Sequence, residues 1–115
     1  MNKYRAVKTE YKGVTYDSKW EAQKAYELDM LQRAGKITDL QRQVTFTLQE
    51  RFINNKGETI RPIFYVADFV YKDVKTGRTI VMDTKSPATR TQVYMVKKKL
   101  FEYKYPQYDF IEAKK

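Results

Sequence analysis

Asp68 interrupts Ile63-Phe64-Tyr65-Val66-Ala67-Asp68-Phe69-Val70-Tyr71, an otherwise apolar run that reads as a strand buried on both faces. An unpaired carboxylate there costs on the order of several kcal/mol, so it needs a partner or a cation, unless the strand ends and the side chain reaches solvent. Fifteen residues on, Val81-Met82-Asp83-Thr84-Lys85 places a second acid and a lysine two apart. On a strand Asp83 and Lys85 share a face while Thr84 points away. Alone, such a pair is equally a surface ion pair worth about 0–1 kcal/mol.

The two pieces gain meaning together. A hairpin turning symmetrically about Lys75 and Thr76 sets Asp68 directly opposite Asp83, whereas a bulge at Gly77 would shift the pairing by one residue. Opposed like charges are destabilising, and a divalent cation between them reverses the sign. Two acids and a lysine on one strand pair suit phosphodiester hydrolysis. The carboxylates would hold Mg²⁺ or Mn²⁺, which acidifies a water and polarises the phosphate. Lys85 would orient that water or stabilise the growing charge.

Composition narrows the alternatives. With no cysteine there is no disulfide, zinc-thiolate site or thiol nucleophile, and with no histidine there is no imidazole base. Only oxygen ligands remain, which favour hard cations. The formal charge is +9, with 23 Lys and Arg against 14 Asp and Glu. That excess attracts polyanions, nucleic acid first, although a merely basic protein fits it too. At 115 residues, with 42% hydrophobic content, one domain over 1–115 is expected. No apolar run is long enough to span a membrane and residues 1–5 lack a signal-peptide pattern, so a soluble, cytoplasmic protein is expected.

The elements that must position these residues follow in order. Residues 9–16 read as a small hairpin turning near Gly13. Ser18-Lys19-Trp20-Glu21 has the form of a capping box, and the helix it opens runs to about Ala34, with Gly35 as C-terminal cap. Val44, Phe46 and Leu48 share one face of a first strand, with Gln41 and Gln43 just before it, and Asn54-Asn55-Lys56-Gly57 marks a turn. Strands follow at 63–71 and 79–84, a helix over about 91–103, and a last strand at 108–111. The third strand, helix and last strand look like a right-handed crossover to a parallel partner.

The order helix, three strands, helix, strand, carrying Asp68 and Asp83-Thr84-Lys85, resembles the PD-(D/E)XK nuclease superfamily. The phrases Ser18-Lys19-Trp20-Glu21-Ala22, Ala67-Asp68-Phe69-Val70-Tyr71, Asp83-Thr84-Lys85 and Lys98-Lys99-Leu100-Phe101 are similar to small phage-encoded proteins filed as a domain of unknown function within it. Ala67 stands where that motif has a proline. The resemblance implies a restriction-endonuclease-like α/β/α sandwich in which Asp68, Asp83 and Lys85 carry catalysis. It also implies that Thr84 lends its backbone carbonyl to the metal and that Glu21 of the first helix joins the acids. By analogy it implies a Mg²⁺-dependent endonuclease for branched DNA, working as a homodimer in phage recombination or DNA processing in the bacterial host.

Glu21 also reads as a capping-box residue bonded to the Ser18 amide. Yet it shares a face with Ala25, Leu28 and Gln32, which should look toward the sheet. Lys97, Lys98 and Lys99, with Arg90, Thr91 and Gln43, are candidates for phosphate contacts, and a solvated face accounts for the lysines nearly as well. The tyrosines read as packing residues. Two rival functions use the same features: a non-catalytic nucleic-acid-binding module, and a phage protein whose charge matches an acidic host partner.

Overall fold

A computed structural model describes residues 8–114; the segment 1–5 considered above lies outside them. Strands β1 (Thr9–Tyr11) and β2 (Val14–Tyr16) form an antiparallel hairpin whose turn residues Lys12 and Gly13 both have positive φ, 51° and 78°. Two left-handed residues give the turn the twist that matches its strands. Helix α1 (Lys19–Arg33) starts at Ser18, whose Oγ accepts the Glu21 amide at 3.0 Å. It ends in a Schellman motif: Gly35, at φ 77°, donates to the Gln32 carbonyl and Lys36 to that of Leu31.

Strands β3 (Ile37–Gln49), β6 (Ile63–Asp73), β7 (Thr79–Lys85) and β8 (Asp109–Lys114) form one mixed sheet in the order β3-β6-β7-β8. A two-stranded hairpin of β4 (Phe52–Ile53) and β5 (Thr59–Ile60) turns at the predicted Asn54–Gly57 segment. The β3–β6 and β6–β7 pairs are antiparallel and β7–β8 is parallel, with α2 (Gln92–Lys104) between the parallel strands. The parallel partner is as predicted. Among the described residues no helix is long and apolar enough to cross a membrane.

Each face of the sheet is covered by one helix. Ile80 and Met82 pack with Ala22, Ala25 and Leu28 of α1, while Val81 between them packs with Tyr94 and Phe101 of α2. Alternate side chains of a strand point to opposite faces, so the helices lie on opposite sides. The α2 side is aromatic, with Phe46, Tyr65, Tyr105, Tyr108 and Phe110 gathered around the fully buried Phe101.

Two expectations change. The strand expected from Val44 starts at Ile37 and is an edge strand, so Gln41 and Gln43 lie within it. Its first half lacks apolar alternation because it is irregular: Asp39 and Gln43 have φ 57° and 53°, and the register shifts between Thr38 and Gln41. The Leu40 amide, displaced by that bulge, donates to Gln32 Oε1 of α1 at 2.9 Å. The second change concerns β6, which is not buried on both faces: Ile63, Phe64 and Val66 are exposed. Its first half lies beyond the rungs shared with β7, which run from Phe69 to Lys72.

Candidate active site

The β6–β7 rungs Phe69↔Met82 to Lys72↔Thr79 centre the hairpin on Lys75 and Thr76, as predicted. One rung further the same register sets Asp68 against Asp83, and there the ladder gives way to side chains. Asp68 Oδ2 accepts the Thr84 backbone N–H at 2.8 Å and the Thr84 hydroxyl at 2.6 Å. Strand β6 also turns over at this point. Tyr65 and Ala67 belong to the cluster under α2, whereas Phe69 and Tyr71, at the same even spacing, belong to the cluster under α1. Across from Asp68, between the rungs Arg42↔Phe69 and Val44↔Ala67, sits the left-handed Gln43. Its Nε2 reaches Asp68 Oδ1 only at 3.5 Å.

Asp83 is buried, and its Oδ2 accepts the Tyr65 hydroxyl at 2.7 Å with Lys85 Nζ at 3.7 Å. Lys85 Nζ also lies 4.3 Å from the centre of the Tyr94 ring, a cation–π distance. Burial pushes the Asp83 carboxyl well above the usual range, and the hydrogen bond and charge of Asp68 push the same way; Lys85 and Tyr65 only partly oppose this. Asp83 therefore holds its proton more tightly than an ordinary aspartate, burial being the first cause.

Glu21 is buried at the start of α1, on the sheet-facing stripe with Ala25 and Leu28. Burial, then the charges of Asp68 and Asp17, push its carboxyl up to about 7, against a hydrogen bond with the Asp17 backbone. Ser18 caps the Glu21 amide, but the Glu21 carboxylate bonds to the Asp17 backbone. It thus faces the site through Asp68. Among the described residues no three acidic side chains converge closely enough to hold a metal ion together as they stand. What the site offers a cation is the Asp68–Asp83 pair. Two neighbouring carboxylates suit a hard divalent ion, since Mg²⁺ commonly takes one or two carboxylates and keeps several waters.

Three residues of the site escaped the sequence reading. Glu112 of β8 shares the rung of Asp83 in the parallel ladder. It accepts the Tyr94 hydroxyl at 2.7 Å and Arg90 Nε at 2.7 Å. Burial raises its pKa most strongly of any single influence, yet these partners together hold it below its ordinary value. Tyr65 and Tyr94 are buried with their hydroxyls on Asp83 and Glu112, and burial drives both phenols far upward. They act as fixed donors. Only its position three residues before Asp68 could have flagged Tyr65, and nothing local marks Tyr94.

The candidate phosphate-contact residues scatter. Arg90 is committed to Glu112, and Thr91 Oγ1 caps α2 by accepting the Tyr94 amide at 3.1 Å. Lys98 pairs with Glu102 at 2.9 Å, Lys97 is half-buried and Lys99 is exposed. Gln43 stands at the site edge beside Asp68.

The family described as "Protein of unknown function (DUF1064)" has a model that matches residues 1–114. No curated protein and no solved structure matches the chain.

Proposed function

The chain belongs to the DUF1064 family, and on that premise we propose that it is a metal-dependent nuclease of the PD-(D/E)XK kind, with a restriction-endonuclease-like fold. The observation that carries this reading is the closeness of Asp68 to Asp83, one step beyond the last β6–β7 rung, with Lys85 Nζ 3.7 Å from Asp83. Asp68 and Asp83 would hold Mg²⁺ or Mn²⁺, with the Thr84 carbonyl as a further ligand. When bound, the cation supplies an acidified water and a polarised phosphate.

The chain's own groups do the positioning. Thr84 fixes Asp68 through its amide and hydroxyl, and Tyr65 fixes Asp83 through Oδ2. Lys85 is partly open to solvent, and its ammonium stabilises charge developing on the phosphate or orients the attacking water. Glu21 stands near Asp68 as an auxiliary acid, its carboxyl raised to about 7 by burial and then by the charges of Asp68 and Asp17. The charge of +9 supports a nucleic-acid substrate. A domain this small has few loops for base readout, so a branched or otherwise structured DNA suits it better than a sequence site. Symmetric nicking of such a junction would call for a homodimer, in phage recombination or DNA processing.

The test is cleavage of labelled DNA in Mg²⁺, Mn²⁺ and EDTA by the native chain and by Asp83→Asn and Lys85→Ala. Cutting that needs metal and both residues supports the reading, and no cutting under any condition rejects it. The upward shift of Asp83, driven first by burial, favours one second reading, a non-catalytic nucleic-acid-binding module. It predicts DNA binding with the same salt dependence with and without Mg²⁺ at matched ionic strength.

A further inference from the structure

Beside Lys85 a cleft of about 440 Å³ opens where β7 and β8 end, lined by Lys85, Ser86, Pro87, Arg90 and Lys114. Three of these five residues are cations and none is acidic. The parallel register sets Lys85 on the same rung as Lys114, so two ammonium groups project from neighbouring positions at one end of the sheet. Like charges so placed repel one another. Among the described residues little besides the Lys85–Asp83 pair relieves them. Glu112, the acid two residues before Lys114, is taken up by Arg90 and Tyr94. Asp83 lies 3.7 Å from Lys85 and is held by Tyr65. Among the described residues Lys114 makes no ion pair, and Arg90 binds Glu112 through Nε, leaving Nη2 uncommitted.

We propose that this cleft is a phosphate-binding subsite that seats a phosphate of the nucleic-acid strand next to the one Lys85 faces. The volume falls within the roughly 300–1,000 Å³ of small-ligand pockets, room for a phosphate and part of its sugar. Lys114 and the free nitrogen of Arg90 supply charge-assisted donors, the strongest kind for phosphate oxygens. Lys85 stands between this cleft and Asp83, so an anchored phosphate would place the adjacent linkage over the carboxylate pair. The inference rests on the nuclease reading for what happens next, but not for binding itself. The same oxyanion chemistry fits a terminal phosphate monoester or an internal diester.

The test uses the full chain in EDTA, with backbone amide resonances of Ser86, Arg90 and Lys114 followed by NMR. Sodium phosphate is titrated against sodium chloride at matched ionic strength. Short single strands bearing a 5′-phosphate, a 3′-phosphate or neither follow. The expected result is saturable movement of these three amides with phosphate and not with chloride, weakened about tenfold in Lys114→Gln. Lys114 is exposed at a strand end, so this variant keeps the fold. A preference for one phosphorylated end identifies a terminal phosphate, and equal binding of all three strands at the same amides identifies an internal one. The inference is overturned if phosphate and every strand leave these amides unmoved, or if Lys114→Gln and Arg90→Gln bind as the native chain does. Cleavage assays run in parallel separate the two ideas. Cutting without phosphate binding here leaves the nuclease standing alone, and binding here without cutting leaves only the subsite.

Discussion

The hydroxyl of Tyr65 donates to Oδ2 of Asp83 at 2.7 Å, in a pair that is almost fully buried. The bond favours the ionised carboxylate, against the burial and the Asp68 charge that oppose ionisation. Tyr65→Phe should therefore raise the Asp83 pKa further, and the proposed metal-dependent cleavage should appear at higher pH than in the native chain. Loss of the bond should also cost roughly 1–3 kcal/mol in urea unfolding. A pH–rate profile that does not move would show that Tyr65 has no hold on the site acid.

The metal-free protein should lose stability as pH rises through the neutral range. Burial, followed by the Asp68 and Asp17 charges, raises Glu21 from 4.5 to about 7, and burial and Asp68 raise Asp83. A carboxyl with a raised folded pKa binds its proton more tightly in the folded state. Its stabilising effect is complete below the unfolded pKa and fades as pH climbs through the folded one. For Glu21 that window is pH 4.5 to about 7, with a ceiling of roughly 3 kcal/mol. Asp29, Asp73 and Asp109, lowered by their partners, act instead on the acid side. Melting temperatures in EDTA across pH 4–9 should fall in the native chain and fall less in Glu21→Gln.

Divalent cations should reverse that loss. At pH 8 a cation bound at Asp68 and Asp83 stabilises the native state alone, by about 1.4 kcal/mol at ten times its Kd. Thermal unfolding with Mg²⁺, Mn²⁺ or Ca²⁺ should show a rise that Asp68→Asn and Asp83→Asn both remove. An equal rise in those variants would place the cation elsewhere.

The bulge in β3 offers a test of the scaffold apart from the chemistry. Gln32 Oε1 is the acceptor for the Leu40 amide, which the bulge takes out of the ladder. Gln32→Ala should cost about 1–3 kcal/mol by stranding that amide. Calorimetry and urea unfolding would check it, and a neutral result would mean that water serves the amide equally well.

The features legible in the sequence are those set by local chemistry. A polar turn between two apolar runs placed Asp68 against Asp83, and Ser18 and Gly35 bracketed α1. The layout of strands around the second helix was legible for the same reason. What escaped depends on distant parts of the chain. Residues 37–43 carry no alternation because pairing with β6 and the Gln32 bond hold them, not a buried face. Glu112 meets Asp83 only through a parallel register set by the packing of α2, which no local pattern encodes. Tyr65 and Tyr94 were hidden among ten tyrosines. The reading of 63–71 as buried on both faces failed because hydrophobicity does not say where a neighbouring strand stops.

The carboxylate pair beside Lys85 is proposed to cut DNA. The most direct measurement is cleavage of a labelled four-way junction and its matching linear duplex in Mg²⁺, Mn²⁺ or EDTA, with Asp83→Ala alongside. Metal-dependent cutting is expected, faster on the junction and lost in Asp83→Ala. Intact DNA in every lane, with binding indifferent to metal, would contradict it.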